Sequence, residues 1–276
     1  MNRLNLQDRA RILGCLVEGN SLRATTRMCG VSINTVTKLL VDLGTACAIY
    51  QNEVLRNLPC KRLELDEVWT FCYSKQKNVA PWKEGILGFG DVWTWTAICA
   101  DTKLVPSWLV GQRNAFYAEK FVSDLAGRLA ERPQVTTDGL KLYIKPIENA
   151  FGANVDYSML VKLYGEPHGS QQERRYSSGQ CCGTIKGVVC GDPNPAHVST
   201  SFVERQNLTM RMSMKRFARL SNGFSKKIEN HEHAVAMHYM FYNFGRIHKT
   251  LRVTPAMEAK VADHVWSLEE IAELAA

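Results

Sequence analysis

The sequence predicts an α/β fold: a mixed sheet flanked by helices, preceded by an all-α N-terminal domain. Three observations predict it. The first fifty residues place their apolar side chains at helical spacing, punctuated by glycine. From residue 62 the pattern changes to short stretches rich in aromatic and β-branched residues. Helical segments then interrupt those stretches in the order three strands, helix, strand, helix.

The elements follow in chain order. Leu6, Ala10, Leu13 and Leu16/Val17 form the apolar face of a first helix that ends at Gly19-Asn20. Ser21 caps a second helix, Leu22 to Cys29. Gly30 supplies a left-handed turn residue, and Ser32 caps a third helix reaching about Leu43. In that third helix Val36, Leu39 and Leu40 face inward, while Asn34, Thr35, Thr37 and Lys38 face out. Helix, short glycine turn, helix is the spacing of a helix-turn-helix, and SLRATTRMCGVSINTVTKLL resembles that motif through Ser21, Arg23, Gly30, Val31, Ser32 and Val36. It departs from the motif at Thr25 and Thr26. Read so, the outward residues of the third helix enter the major groove, where Asn and Lys read base edges; a plain three-helix cap is the other reading.

Residues 46–61 read as a linker, a connecting helix followed by a turn at Pro59. The strand RLELDEVWTFCYS puts Leu63, Leu65, Trp69 and Phe71 on one face and Glu64, Asp66, Val68 and Thr70 on the other. A carboxylate in mid-strand among apolar neighbours is unfavourable unless something such as a metal compensates it, which singles out Asp66; an Asp solvated at a sheet edge is the alternative, and Glu64 and Glu67 are its nearest decoys. Strands follow at 91–101 and 103–111, then a helix over 114–131 and a short strand QVTTD ending at Asp138. An Asp at the C-terminal end of a strand is where open α/β sheets place ligand groups; capping the next helix is its other use. This order matches a ribonuclease-H-like mixed sheet over 62–252, with one more strand expected in 154–165. Residues 166–198, rich in Gly, Pro and Ser, read as an inserted loop, and 253–276 as a C-terminal tail. Within the loop Cys181, Cys182, Cys190 and His197 fit no standard zinc spacing.

Ser199 to Met214 reads as a helix with Glu204, Asn207, Leu208 and Arg211 on one face. Glu204 is a candidate metal ligand, although Ser201-x-x-Glu204 also matches a capping box.

The charge is concentrated. Ten Lys/Arg lie between Arg205 and Arg252 against Glu229 and Glu232 alone, a net +8 within a chain whose total is +7. Such a cluster points to a polyanion. No apolar run approaches the roughly 20 residues that span a bilayer, and the N-terminus lacks a secretory h-region. Nine cysteines without a C-x-x-C pair read as reduced thiols. The expectation is a cytoplasmic, nucleoid-associated protein.

SFVERQNLTMRMSMKRFARLSNGFSKKIENH, followed by YNFGRIHKTLRVTPA, closely resembles transposases of the insertion-sequence-1 family, and the resemblance extends through LELDEVWTF and TTDG. It implies a ribonuclease-H-like core and a DDE triad falling on Asp66, Asp138 and Glu204, with Arg211 in the basic position further along the helix. A metal-ribbon domain found ahead of the helix-turn-helix in some relatives is missing, so end recognition would rest on the N-terminal helices. Three carboxylates suit two Mg²⁺ (or Mn²⁺) ions about 4 Å apart. The implied partner is double-stranded DNA, both element ends and target, bound by a homodimer. Phosphate contacts are expected from Arg211, Lys215, Arg216 and Arg219. The alternatives are an integrase or nuclease of the same chemistry, and a transposase-derived DNA-binding regulator without catalysis. A tyrosine recombinase is disfavoured, because His248-Lys-Thr-Leu-Arg252 has the wrong spacing, and so is a zinc hydrolase, because His231-Glu232-His233 is too close for a ligand pair.

Overall fold

A computed structural model describes residues 4–165, 179, 181–218 and 221–275. Three helices come first: α1 (Leu6–Val17), α2 (Leu22–Cys29) and α3 (Ile33–Val54). Their caps are those expected. Ser21 Oγ accepts from Ala24 N and Ser32 Oγ from Thr35 N, both at 3.1 Å, and Gly30 takes the left-handed conformation at φ 68°.

The third helix departs from expectation. It does not stop near Leu43 but runs unbroken for 22 residues to Val54, continuous with the connecting helix expected in the linker. Gly44 lies at the contact with His233: a Cβ there would lie 2.3 Å from His233 Cβ. Glycine in mid-helix costs about 1 kcal/mol relative to alanine, and here it lets α3 cross α7 (Ile228–Met240) at close range. Gln51, fully buried, ties the crossing by donating to Ala236 O at 3.0 Å.

The sheet has six strands in the order β3-β2-β1-β4-β5-β6. They are β1 (Arg62–Cys72), β2 (Gly90–Cys99), β3 (Ser107–Gly111), β4 (Gln134–Thr137), β5 (Asp156–Tyr164) and β6 (Cys181–Cys190). β1, β4 and β5 are mutually parallel, while β2 and β6 run antiparallel to their neighbours. This is the mixed sheet expected of a ribonuclease-H-like core, with one strand added. β6 corrects the inserted-loop reading: its residues 181–190 pair along β5, with register shifts near both ends of the ladder. Residues 166–178 and 180 of that loop lie outside the described residues. β6 also places Cys181 and Cys190 opposite Tyr164 and Tyr157, roughly 23 Å apart at strand rise, so those two cannot share a zinc.

Helices α4 (Ala115–Ala126) and α5 (Ile144–Phe151) cover one sheet face, where Leu63, Leu65 and Trp95 pack with Phe121, Leu125 and Ile147. On the other face α6 (Ser201–Ser213) and α7 bury Val68 and Ile98 against Val203, Met210 and Tyr239. The chain closes with a π-helical turn Phe241–Gly245, α8 (Pro255–Glu258) and α9 (Leu268–Glu273). The segment read as a tail therefore folds, and Ile271 and Ala272 join Leu13 and Leu43 in the same apolar cluster as the sheet residues above. No helix among the described residues is long and apolar enough to cross a membrane.

Candidate active site

The site is built on two neighbouring parallel strands and one helix. Leu65 of β1 pairs with Thr137 at the end of β4, so Asp138 lies just past β4 beside Asp66, which faces the side of the sheet opposite Leu65. That side is covered by α6, whose Asn207 Nδ2 donates to Asp66 Oδ2 at 2.8 Å. The other Asp66 oxygen accepts from Glu67 N at 2.8 Å. Burial foremost, and then the charges of Glu67, Asp138 and Glu204, raise the Asp66 carboxyl from 3.8 to about 7. Asp66 thus sits half-buried where four carboxylates act on one another.

Asp138 Oδ1 accepts from Leu140 N at 2.8 Å, closing the turn after β4. Its capping role is confined to that turn; the short 3₁₀ helix Lys141–Tyr143 and α5 start beyond it without a side-chain cap.

Glu204 lies in the first turn of α6 and does not form the capping box with Ser201. Instead Thr200 Oγ1 donates to Glu204 Oε1 at 2.7 Å, and Lys162 Nζ from β5 contacts both Glu204 oxygens. Burial works against the Lys162 ammonium, but Glu204 outweighs it and its pKa rises. The N-terminus of α6 is capped from the sheet. Glu64 Oε2, 2% exposed, accepts from Phe202 N at 2.7 Å and Val203 N at 3.0 Å. A carboxylate at a helix N-terminus satisfies free N–H groups and opposes the dipole. Glu64 therefore fixes α6, and with it Glu204, relative to β1.

Glu67 points to the opposite sheet face and is ion-paired with Arg113 Nε at 3.0 Å; burial raises its pKa. Arg113 also stacks on Trp93, 4.7 Å from the ring centroid. Glu64 and Lys162 are the participants that sequence reasoning missed. Strand alternation had already put Glu64 on the Asp66 face; nothing local pointed to Lys162.

A hard divalent cation fits this set in donor chemistry. The donors are carboxylate oxygens, Asp66 is destabilised by its acidic neighbours, and Asn207 Oδ1 is buried without a partner among the described residues. In placement the fit is incomplete. Among the described residues no three His, Cys, Asp or Glu side chains are grouped so as to hold a metal ion. Lys162 and Thr200 hold Glu204 as just described, so a three-carboxylate site requires Glu204 to leave them.

Of the expected DNA contacts, Asn34 and Lys38 are exposed on α3, and Thr35 and Thr37 are half-buried beside them. Lys38 pairs with Asp42 one turn on at 2.6 Å. Lys215 is exposed, and Arg211 is half-buried in the last turn of α6. Arg216 departs from expectation. Its Nη1 turns inward to donate to Ser225 Oγ at 2.8 Å, and its carbonyl accepts from Thr70 Oγ1 at 2.9 Å, so it braces the segment after α6 against β1. Arg219 lies outside the described residues.

No family model matches the chain, and no curated protein matches it. Among solved structures it is similar to the piggyBac transposase in a synaptic complex with hairpin DNA, at 11% identity and a TM-score of 0.41 over 99% of this chain and 71% of that one. It is also similar to the Mos1 transposase paired-end complex with the left transposon end, at 12% identity and a TM-score of 0.24 over 57% of this chain and 60% of that one. A third similarity is to the Mos1 strand transfer complex, at 12% identity and a TM-score of 0.24 over 87% of this chain and 76% of that one. All three are transposases.

Proposed function

We propose that the chain is a DDE transposase of the insertion-sequence-1 type, which binds the ends of its element and catalyses metal-dependent strand cleavage and strand transfer at Asp66, Asp138 and Glu204. The observation that carries this reading is Asp66: a half-buried strand carboxylate acted on by Asp138, just past the end of the adjacent parallel strand, and by Glu204 from α6. Carboxylates perturbed by burial and by one another cluster at functional sites.

The residues divide the work. Asp66 is the member on a strand, Asp138 the member in the turn that follows a strand, and Glu204 the member on a helix. Asn207 orients the Asp66 carboxylate, and Glu64 anchors the helix that carries Glu204. Bound Mg²⁺ or Mn²⁺ would supply activation of the attacking oxygen, first of water and later of a 3′-hydroxyl, and stabilisation of the leaving oxygen. Exposed Asn34 and Lys38 read the element ends from α3, while Lys215 holds phosphates. Two copies of the chain acting on one pair of ends is the corresponding assembly.

The test is strand cleavage of duplex DNA carrying the element's ends. Cleavage requires Mg²⁺ or Mn²⁺, is lost in EDTA, and is lost in Asp66→Asn and Asp138→Asn while DNA binding persists. Cleavage undiminished in EDTA overturns the proposal. Binding without cleavage by the parent chain under every divalent cation leaves a DNA-binding regulator as the function.

A further inference from the structure

A groove of about 650 Å³ lies between the N-terminal helices and the segment that follows α6. Arg23, near the start of α2, stands on one wall, and Lys215, Lys226 and Lys227 stand on the other. All four are exposed. Among the described residues no Asp or Glu lines the groove. Asn230 and His238 of α7 contribute to the lining. His238 is 3% exposed, and its Nε2 has no hydrogen-bond partner among the described residues.

A solvated basic face spreads its charges or interleaves them with acidic ones. Here cations from two parts of the chain far apart in sequence converge on one concavity without a counter-charge. That arrangement is unfavourable by itself and is relieved by a bound anion. The groove also opens beside α3: Ile33, at the start of that helix, lines it, and the exposed Asn34 and Lys38 continue outward from there.

We propose that this groove binds the phosphodiester backbone of DNA, so that Arg23 and the segment 215–227 hold the strand whose bases the exposed face of α3 reads. This division follows the general one in which phosphate contacts fix register and base contacts carry sequence. The proposal rests on the reading of the chain as a DNA-processing protein, and it adds Arg23, Lys226, Lys227 and Asn230 to the DNA track. None of the four belongs to the carboxylate site.

Two measurements on the full chain test it. The first is binding of a random-sequence duplex by fluorescence anisotropy across salt concentrations, for the parent, Arg23→Gln and the double variant Lys226→Gln/Lys227→Gln. Removing one cation from a phosphate flattens the log–log salt slope by about 0.9, so the double variant is expected to lose nearly two units with its unfolding midpoint unchanged. The second is lysine acetylation read by mass spectrometry, which needs no variant. Duplex DNA is expected to protect Lys215, Lys226 and Lys227 but not the exposed Lys260, which lies outside the groove. Parent-like slopes together with unprotected Lys226 and Lys227 overturn the proposal, as does protection by polyglutamate but not by DNA. Both measurements need no divalent cation, so failure of cleavage leaves them unaffected. Absence of any DNA binding by the parent chain overturns the groove and the transposase reading together.

Discussion

Replacing Asp66 with asparagine tests whether the acidic cluster is held together against its own repulsion. The Asp66 carboxyl is raised from 3.8 to about 7 by burial and then by Glu67, Asp138 and Glu204. The cations nearby are engaged elsewhere, Arg113 with Glu67 and Lys162 with Glu204. Between 3.8 and about 7 the folded chain keeps a proton that the unfolded chain has released. Stability therefore falls as pH rises through that window, and the loss is complete above it. The shift corresponds to ~4 kcal/mol as an upper bound, and screening at a partly open site reduces the expected cost to about 1–3 kcal/mol. Asparagine removes the charge and keeps the hydrogen bonds. Its Oδ1 can still accept from Glu67 N, and a flip of the Asn207 amide offers the otherwise unpartnered Oδ1 to the new N–H₂. In urea unfolding with EDTA, followed by tryptophan fluorescence, Asp66→Asn should be more stable than the parent near pH 8 by that 1–3 kcal/mol. Near pH 4 the two should converge, because the parent carboxyl is then protonated too. A variant no more stable than the parent near pH 8, or equally stabilised at both pH values, would refute the reasoning.

Three further outcomes are expected. Gly44→Ala places a methyl 2.3 Å from His233 Cβ and forces α3 and α7 apart; overpacking of this kind typically costs about 1–3 kcal/mol, and an unchanged thermal midpoint would show that the crossing is looser than described. His231 and His238 are held neutral by burial, each lowered from 6.5 to about 3. Their stabilisation is whole above 6.5 and is lost as pH falls toward 3, by on the order of 1.4 kcal/mol per pH unit for each; His238→Gln should therefore flatten the acid limb of a pH–stability profile. Asn34→Ala and Lys38→Ala should each reduce the preference for element ends over random duplex by ~1–3 kcal/mol, with little change in stability because the Lys38–Asp42 pair is exposed; an unchanged preference in both would remove α3 as the reader.

The sequence by itself determined what local physics determines. Ser21, Gly30 and Ser32 set the helix boundaries because a cap or a left-handed turn involves residues only a few positions apart. Asp66 stood out because a carboxylate in an alternating strand contradicts its surroundings, and Asp138 because it ends a strand. What the sequence could not decide were the interactions that join distant segments. The close crossing of α3 and α7 depended on Gly44 meeting His233, and the strand β6 on pairing with β5 across a Gly-containing stretch that reads locally as loop. Glu64 looked like a decoy until α6, some 138 residues later, brought Phe202 and Val203 N–H groups to its carboxylate. Glu204 matched a capping box in the text, yet the folded chain gives it to Lys162 and Thr200. Arg216 belonged to a basic run in sequence and to the buried Ser225–His231 pair in space. In each case the deciding energy comes from a partner that only tertiary packing delivers, so no window of neighbouring residues contains it.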